Sequence, residues 1–200
     1  MKYSDFPFIM MQTFLEKKYN KTLDIVVKER IFDKMNLKRT LFNPNKNSSL
    51  HDNIVPSEID NYFRNQELKG YVHDMAAAML GGIAGHAGLF SNSFEVASLM
   101  QMYLNKGNYD GKNFFSSETF EKFNNCIYCH NGNRRGVGFD KPQIEGSGST
   151  CGCVSSDSFG HSGFTGTYAW ADPEEKIIYV FLSNRTYPSM DNTLLIDHSI

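Results

Sequence analysis

Apolar and polar residues follow two rhythms along this chain, helical in the first part and strand-like in the last third. Across 5–18, Phe6, Ile9, Met10 and Phe14 recur at the spacing that gathers side chains on one helical face. Asn20 or Thr22 restarts a helix whose expected buried stripe is Leu23, Val26, Val27, Ile31 and Phe32. Met35-Asn36-Leu37 closes that unit, and Thr40-Leu41-Phe42 reads as extended. Residues 43–60 are polar, contain Pro44 and Pro56, and predict a long loop. After Val72-His73-Asp74 comes an Ala- and Met-rich helical stretch, then four glycines within residues 81–88. That density marks a backbone that turns sharply or approaches something closely. Asn92-Ser93-Phe94-Glu95 has the form of a capping box and opens a helix carrying Phe94, Ala97, Leu99, Met100 and Leu104. Ser116 or Ser117 caps a shorter helix over 118–123.

The rhythm then changes. Residues 158–162 read as a candidate strand; 166–171 and 177–184, aromatic and β-branched, read as stronger ones, with 172–176 as a hairpin loop between these two. Antiparallel strands following a mostly helical part define the α+β class. Composition adds exclusions. Net charge is -2, so there is no basic surplus to neutralise phosphates, and nucleic acid is not expected as a partner. The longest apolar stretch, 75–89, is too short and too interrupted by glycine to span a bilayer. No secretory signal precedes Tyr3, and the helix beginning near Leu194 meets no stop signal. The expectation is therefore a single partial domain over 1–200, cut at both ends.

The segment from His161-Ser162-Gly163-Phe164 through Thr165-Gly166-Thr167-Tyr168-Ala169-Trp170 and Asp172-Pro173 to Ser183-Asn184-Arg185-Thr186-Tyr187-Pro188 carries the chemistry. It resembles the third motif, and the two strands after it, of the class C β-lactamase, DD-peptidase and esterase superfamily of serine hydrolases. The resemblance implies a β-lactamase/transpeptidase-like partial domain, with a helical part and about three antiparallel strands. It also implies that the N–H of Phe164 forms half of an oxyanion hole. Such a donor contributes about 3 kcal/mol in the transition state. By the same resemblance His161, Ser162, Gly163 and Asn184 line the substrate. His161 stands where β-lactamases have lysine, and a partly charged imidazole anchors a carboxylate less firmly. This favours an esterase- or peptidase-like member.

Tyr3-Ser4-Asp5, placed before a helix, is similar to the family's second motif, Tyr-x-Asn. The resemblance assigns Tyr3 the nucleophile's proton, which a phenol with an ordinary pKa of about 10 accepts only beside a cation. Asp5 departs from the pattern: it cannot donate an amide N–H, and instead either holds a lysine in place or rejects acidic substrates. Val72-His73-Asp74 and Gly85-His86-Ala87-Gly88 resemble a subgroup appended to family 3 glycoside hydrolases. An adjoining glycoside hydrolase domain is thus an expected partner, with His73 and His86 equally readable as local structural residues.

The family's first motif, Ser-x-x-Lys, is absent: no serine of the chain has lysine three positions on. The expected partners are accordingly the missing N-terminal half of the domain and a small-molecule or peptidoglycan-like substrate, with no cofactor. The parent protein is expected in the periplasm or cell envelope. The alternative is a catalytically inactive module that binds or braces beside a glycoside hydrolase. Cys126, Cys129, Cys151 and Cys153 read as unlinked or disulfide-bonded, or as a structural zinc set. Cys126-Ile127-Tyr128-Cys129-His130 also matches a haem-attachment pattern, but without a small helical domain to hold the group. Arg134 and Arg135 read as a solvated pair or as contacts to an anionic substrate or partner.

Overall fold

The structure is a computed structural model that describes residues 3–46, 48–143, 148, 150 and 152–197. It contains two compact units. The first comprises Met1–Asn92 and Asn184–Asn192, the second Ser93–Ser183 and Thr193–Ile200.

The first unit begins with helix α1 (Phe6–Tyr19). Proline sits in its first turn, where a missing N–H costs nothing. Lys17 and Lys18 in its last turn complement the helix dipole, and Asn20 ends it in the left-handed conformation at φ 50°. The expected helix is therefore present, but none of its residues is buried. Phe6, Phe8, Met10, Met11 and Phe14 are all exposed, so its apolar face has no cover among the described residues. Helix α2 (Leu23–Val27) runs on as a π-turn, Lys28–Phe32. The predicted stripe is buried at Leu23, Val26 and Phe32, with Met35 and Leu37 extending it, whereas Val27 and Ile31 are half-buried.

Short elements complete this unit: β1 (Leu41–Phe42), β2 (Ile59–Asp60), β3 (Gln66–Glu67), α3 (Met75–Met79) and β4 (Leu89–Phe90). β1 pairs with β4 and β2 with β3, both antiparallel. The polar stretch 43–60 is less open than its composition predicts. It contains the 3-10 turns Pro44–Lys46 and Ser48–Asn53 and ends in β2. Glu58 and Asp60 there are among the most buried side chains of the molecule. Both are polar and fully enclosed, which requires bonded partners. Tyr62 donates its hydroxyl to Glu58 Oε2 at 2.8 Å, His73 Nε2 lies 3.0 Å from the same oxygen, and Met190 donates its N–H to Oε1. Asp60 accepts the backbone N–H groups of Tyr62, Phe63 and Arg64, plus Arg64 Nε at 2.8 Å.

The second unit is formed by α4 (Ser93–Leu104), β5 (Asn108–Tyr109), β6 (Lys112–Asn113), α5 (Ser117–Asn124), β7 (Phe159–Gly163), β8 (Thr167–Asp172), β9 (Ile177–Leu182) and α6 (Leu194–Asp197). β5 and β6 make a small hairpin, and β7, β8 and β9 make an antiparallel sheet in that order. Its core is Met100 of α4, Phe120 of α5, Phe159 of β7 and Ala171 of β8, with Tyr103, Phe115 and Phe139 packed around them. Phe159 sits against Phe120 and Phe139 at centroid distances of 5.3 and 5.0 Å, inside the range where ring pairs are favourable. Ser116 caps α5 by accepting the N–H of Thr119 at 3.2 Å. Ser116→Ala is expected to destabilise this unit by about 1 kcal/mol, measured by denaturant unfolding; a change near zero would show that α5 does not depend on its cap.

Candidate active site

The third-motif residues lie on β7 and the turn after it. β7 is the edge strand of its sheet, and its register on β8 pairs Gly160 with Trp170, His161 with Ala169, Ser162 with Tyr168 and Gly163 with Thr167. Two of these positions are glycines with a close neighbour, and at Gly160 that neighbour is backbone. A Cβ at Gly160 would stand 2.3 Å from both the Ala169 carbonyl oxygen and the Trp170 ring. At Gly163 it would stand 2.1 Å from Thr167 Oγ1. The close approach lets β7 lie flat against the large rings of β8, where Tyr168 and Trp170 stack at 5.8 Å.

Among the described residues, the outer edge of β7 pairs with Asp140. Asp140 donates its N–H to the Gly160 carbonyl at 2.8 Å, and Gly160 donates back to Asp140 at 3.2 Å. Backbone groups of a strand alternate in direction with period two. Since Gly160 turns its N–H and C=O away from β8, Ser162 does the same, and Phe164 follows in the turn after the strand. His161 and Gly163 bond to β8 instead. Past Gly160, the outer edge of β7 is thus bordered by Ser162. Phe164 is exposed, and the turn behind it is held by Ser183, whose hydroxyl donates to the Gly166 carbonyl at 2.8 Å. His161 Nδ1 lies 2.6 Å from the Ser162 carbonyl oxygen, which fixes the imidazole along the strand.

Tyr3, Asp5 and Asn184 belong to the first unit. Tyr3 is exposed and Asp5 half-buried at the mouth of α1. Asp5 makes no side-chain cap bond; Ser4 Oγ accepts the Phe6 N–H instead, at 3.3 Å. The side chain of Asn184 is occupied with backbone. Its Nδ2 donates to the carbonyls of Val55 and Pro56, at 3.3 and 2.5 Å. The next residues tie down the same loop: Thr186 Oγ1 donates to Ser57 O at 2.7 Å, and Ile59 N–H donates to Pro188 O at 2.9 Å. In this structure Asn184 anchors the loop 55–59.

The glycine-rich segment approaches α1, as its composition predicts. Gln12 Nε2 donates to Ile83 O and Gln12 Oε1 accepts Gly85 N–H, at 3.1 and 3.0 Å. A Cβ at Gly85 would fall 2.2 Å from Phe8 O. His73 and Asp74 do not pair with each other. His73 turns to Glu58, and burial holds its imidazole below the usual histidine range while the Glu58 charge pulls the other way. Asp74 caps α3 through the Ala77 N–H at 2.7 Å and also holds His86 Nε2 at 2.9 Å. Burial alone would push the Asp74 carboxyl up, but the Ala77 N–H and His86 together leave it below the usual carboxylate range.

Sequence reasoning did not find the Glu58–Tyr62–His73 and Asp60–Arg64 clusters, because nothing local distinguishes a buried acid from a solvated one. It also did not find Asp140 as the partner of β7. Cys126 and Cys129 are joined in a disulfide, so in this state neither is a thiolate ligand for zinc. Cys153 is also disulfide-bonded, and Cys151 lies outside the described residues. No group of metal-binding side chains occurs among the described residues, and no helix among them is long and apolar enough to cross a membrane. Arg134 and Arg135 each have a protein partner: Arg134 bonds the Pro142 carbonyl, and Arg135 Nε pairs with Asp140 Oδ1 at 2.9 Å.

The chain is similar to known proteins in sequence and in fold. A family model described as Beta-lactamase matches residues 1–198. An Escherichia coli (strain K12) protein named "Putative D-alanyl-D-alanine carboxypeptidase" is 32% identical over 200 residues, covering 92% of this chain and 45% of that protein. A Salmonella typhi protein of the same name is 31% identical over 212 residues, covering 95% of this chain and 46% of its own length. The chain thus spans less than half the length of these curated relatives. Among solved structures, the octameric penicillin-binding protein homologue from Pyrococcus abyssi is similar with a TM-score of 0.64 at 20% identity, covering 98% of this chain and 42% of that one. A β-lactamase from Mycobacterium bovis is similar with a TM-score of 0.60 at 15% identity, covering 99% of this chain and 64% of that one. The helices and small antiparallel sheets described above are part of the β-lactamase/transpeptidase-like fold, and the chain belongs to the Beta-lactamase family.

Proposed function

We propose that these residues form the rear part of a serine acyl hydrolase that cleaves amide or ester bonds of cell-envelope substrates, of the D-alanyl-D-alanine carboxypeptidase kind. The observation that carries the reading is the pairing of Asp140 with Gly160, which turns the backbone of Ser162 to the outer edge of β7, with Phe164 following directly after the strand. A substrate acyl group laid along that edge meets the Phe164 N–H at its carbonyl oxygen. His161 and Ser162 meet its carboxylate, with Gly163 keeping the strand flat between them. Tyr3 accepts the proton of the attacking hydroxyl, and Asp5 holds the cation that makes the phenol competent to do so. The serine and its lysine are supplied by sequence other than residues 1–200, because no Ser-x-x-Lys occurs within them. The name shared by the curated relatives and the histidine at position 161 favour a peptidase over a β-lactamase. An adjoining glycoside hydrolase domain is a finer part of the proposal, resting on Val72-His73-Asp74 and Gly85-His86-Ala87-Gly88.

The test is covalent labelling of the full-length parent with a fluorescent penicillin or a fluorophosphonate. The expected result is one labelled serine, four residues inclusive from a lysine. Tyr3→Phe should slow acylation by about a hundredfold or more, the magnitude of a lost general base. A parent that takes no label would overturn the enzyme reading. The absent Ser-x-x-Lys favours one rival, a binding module without catalysis, and an unlabelled parent that still binds a peptidoglycan peptide would establish it.

A further inference from the structure

Between α5 and the hairpin that reaches β7, the chain makes a tight turn closed by the Cys126–Cys129 disulfide, with a 3-10 turn at Cys129–Asn131. The two sulfurs have unlike surroundings. Arg134 Nη1 donates to Cys129 Sγ at 3.0 Å. Cys126 Sγ stands 3.1 Å from the Asn133 carbonyl oxygen. A guanidinium stabilises a thiolate at the first position. A carbonyl oxygen disfavours one at the second and would accept the S–H of a protonated thiol there. The cation is fixed in place, because Arg134 Nε donates to the Pro142 carbonyl at 2.5 Å and Nη2 donates to the same oxygen. Both cysteines are half-buried, and Ile127 and Tyr128 between them are exposed, so an incoming thiol has a path to the bond.

We propose that Cys126–Cys129 is a reversible thiol–disulfide exchange site, in which an incoming thiol attacks Cys126 and Cys129 leaves as the thiolate beside Arg134. The direction follows from leaving-group stability: the sulfur whose anion is better stabilised departs faster. The reactant is a low-molecular-weight thiol, RSH. Its thiolate attacks Cys126 Sγ and forms a new S–S bond there. The Cys126–Cys129 bond breaks, and its electron pair stays on Cys129. A second thiolate then attacks the RS sulfur of this mixed disulfide, which releases RSSR. The Cys126 sulfur takes a proton and donates it to the Asn133 carbonyl. The balance is two RSH oxidised to one RSSR and one protein disulfide reduced to two thiols.

The site lies one hairpin away from β7. The Arg134 carbonyl accepts the Lys141 N–H at 2.9 Å, and the neighbouring Asp140 pairs with Gly160. The exchange site is therefore built into the segment that covers the start of the candidate catalytic strand.

The experiment uses the full chain with glutathione as the probe thiol. Brief exposure, acid quench and peptide mass spectrometry should find the glutathione adduct on Cys126. In the fully reduced chain at pH 7, iodoacetamide should modify Cys129 about tenfold faster than Cys126, the advantage a neighbouring cation confers. Arg134→Gln should remove that difference, and Arg134→Lys should retain most of it. If Arg134→Gln fails to fold, Cys126→Ser gives an independent reading: Cys129 should then label faster in the folded chain than in urea. An adduct on Cys129, equal labelling of the two cysteines, or slower labelling of Cys129 when folded would overturn the proposal. So would stoichiometric zinc uptake by the reduced chain that protects all four thiols.

Discussion

Asp60→Ala is expected to destabilise the first unit by about 3–5 kcal/mol, the range for removing one partner of a buried ion pair. Asp60 is completely enclosed, and the Arg64 side chain is only 15% exposed. Alanine would leave the guanidinium without its counter-charge and remove the acceptor for three backbone N–H groups. Arg64 would still be held by the carbonyls of Val72 and His73, so the damage would spread to the segment leading into α3. Asp60→Asn keeps the volume but loses the charge, and should fall between alanine and the parent residue. Denaturant unfolding of the chain measures all three.

The same carboxylate sets an acid limit. Burial by itself would raise its pKa, but the Arg64 side chain and the N–H groups of Phe63, Tyr62 and Arg64 bring it down to about 2 from an ordinary 3.8. A carboxyl whose folded pKa is depressed contributes its stability above the unfolded pKa. The Asp60 contribution should thus be complete above pH 3.8 and disappear as pH falls toward 2. Unfolding free energies across that window should slope in the parent chain and slope less in Asp60→Ala. Equal slopes would show that the acid sensitivity arises elsewhere.

Gly160→Val is expected to cost the second unit about 3 kcal/mol, the upper end for overpacking. The clash begins at Cβ, against backbone on one side and the Trp170 ring on the other, so Gly160→Ala should already be harmful. Relief requires β7 to shift away from β8, which also disturbs the pairing with Asp140. A displacement of about 1 Å in the strand that positions an acyl group costs on the order of a hundredfold in rate. Penicillin acylation of the full-length parent carrying Gly160→Ala should therefore slow by about that factor. Unchanged acylation by a folded variant would separate β7 from the chemistry.

Much of the secondary structure was legible because its determinants are local. The strands at 167–172 and 177–182 have the aromatic and β-branched content that suits a pleated surface, and the glycines from Gly160 to Gly166 mark the close approaches and turn of the strand at 159–163. The helix at α1 was legible from spacing and from Asn20, yet the same spacing said nothing about what covers it. His161–Phe164 was singled out by resemblance alone, and the structure places it on β7 and the turn after it. Asn184 was read with that segment as lining the substrate; its amide is instead bonded to carbonyls 128 and 129 positions away. No spacing rule reaches such a distance.

The sequence by itself determined the α+β class, the family resemblance and the absence of Ser-x-x-Lys within these residues, since each is written in adjacent or regularly spaced side chains. Tertiary structure decided which polar groups are enclosed and with whom they pair. Glu58 and Asp60 look like solvated acids in a polar loop until Tyr62, His73 and Arg64 enclose them. Cys126 and Cys129 are equivalent in the sequence and differ only through Arg134 and Asn133. The physical reason is common to all of these. Periodicity reports which face of an element turns inward, whereas the charge state and partner of a buried polar group depend on atoms brought together by folding.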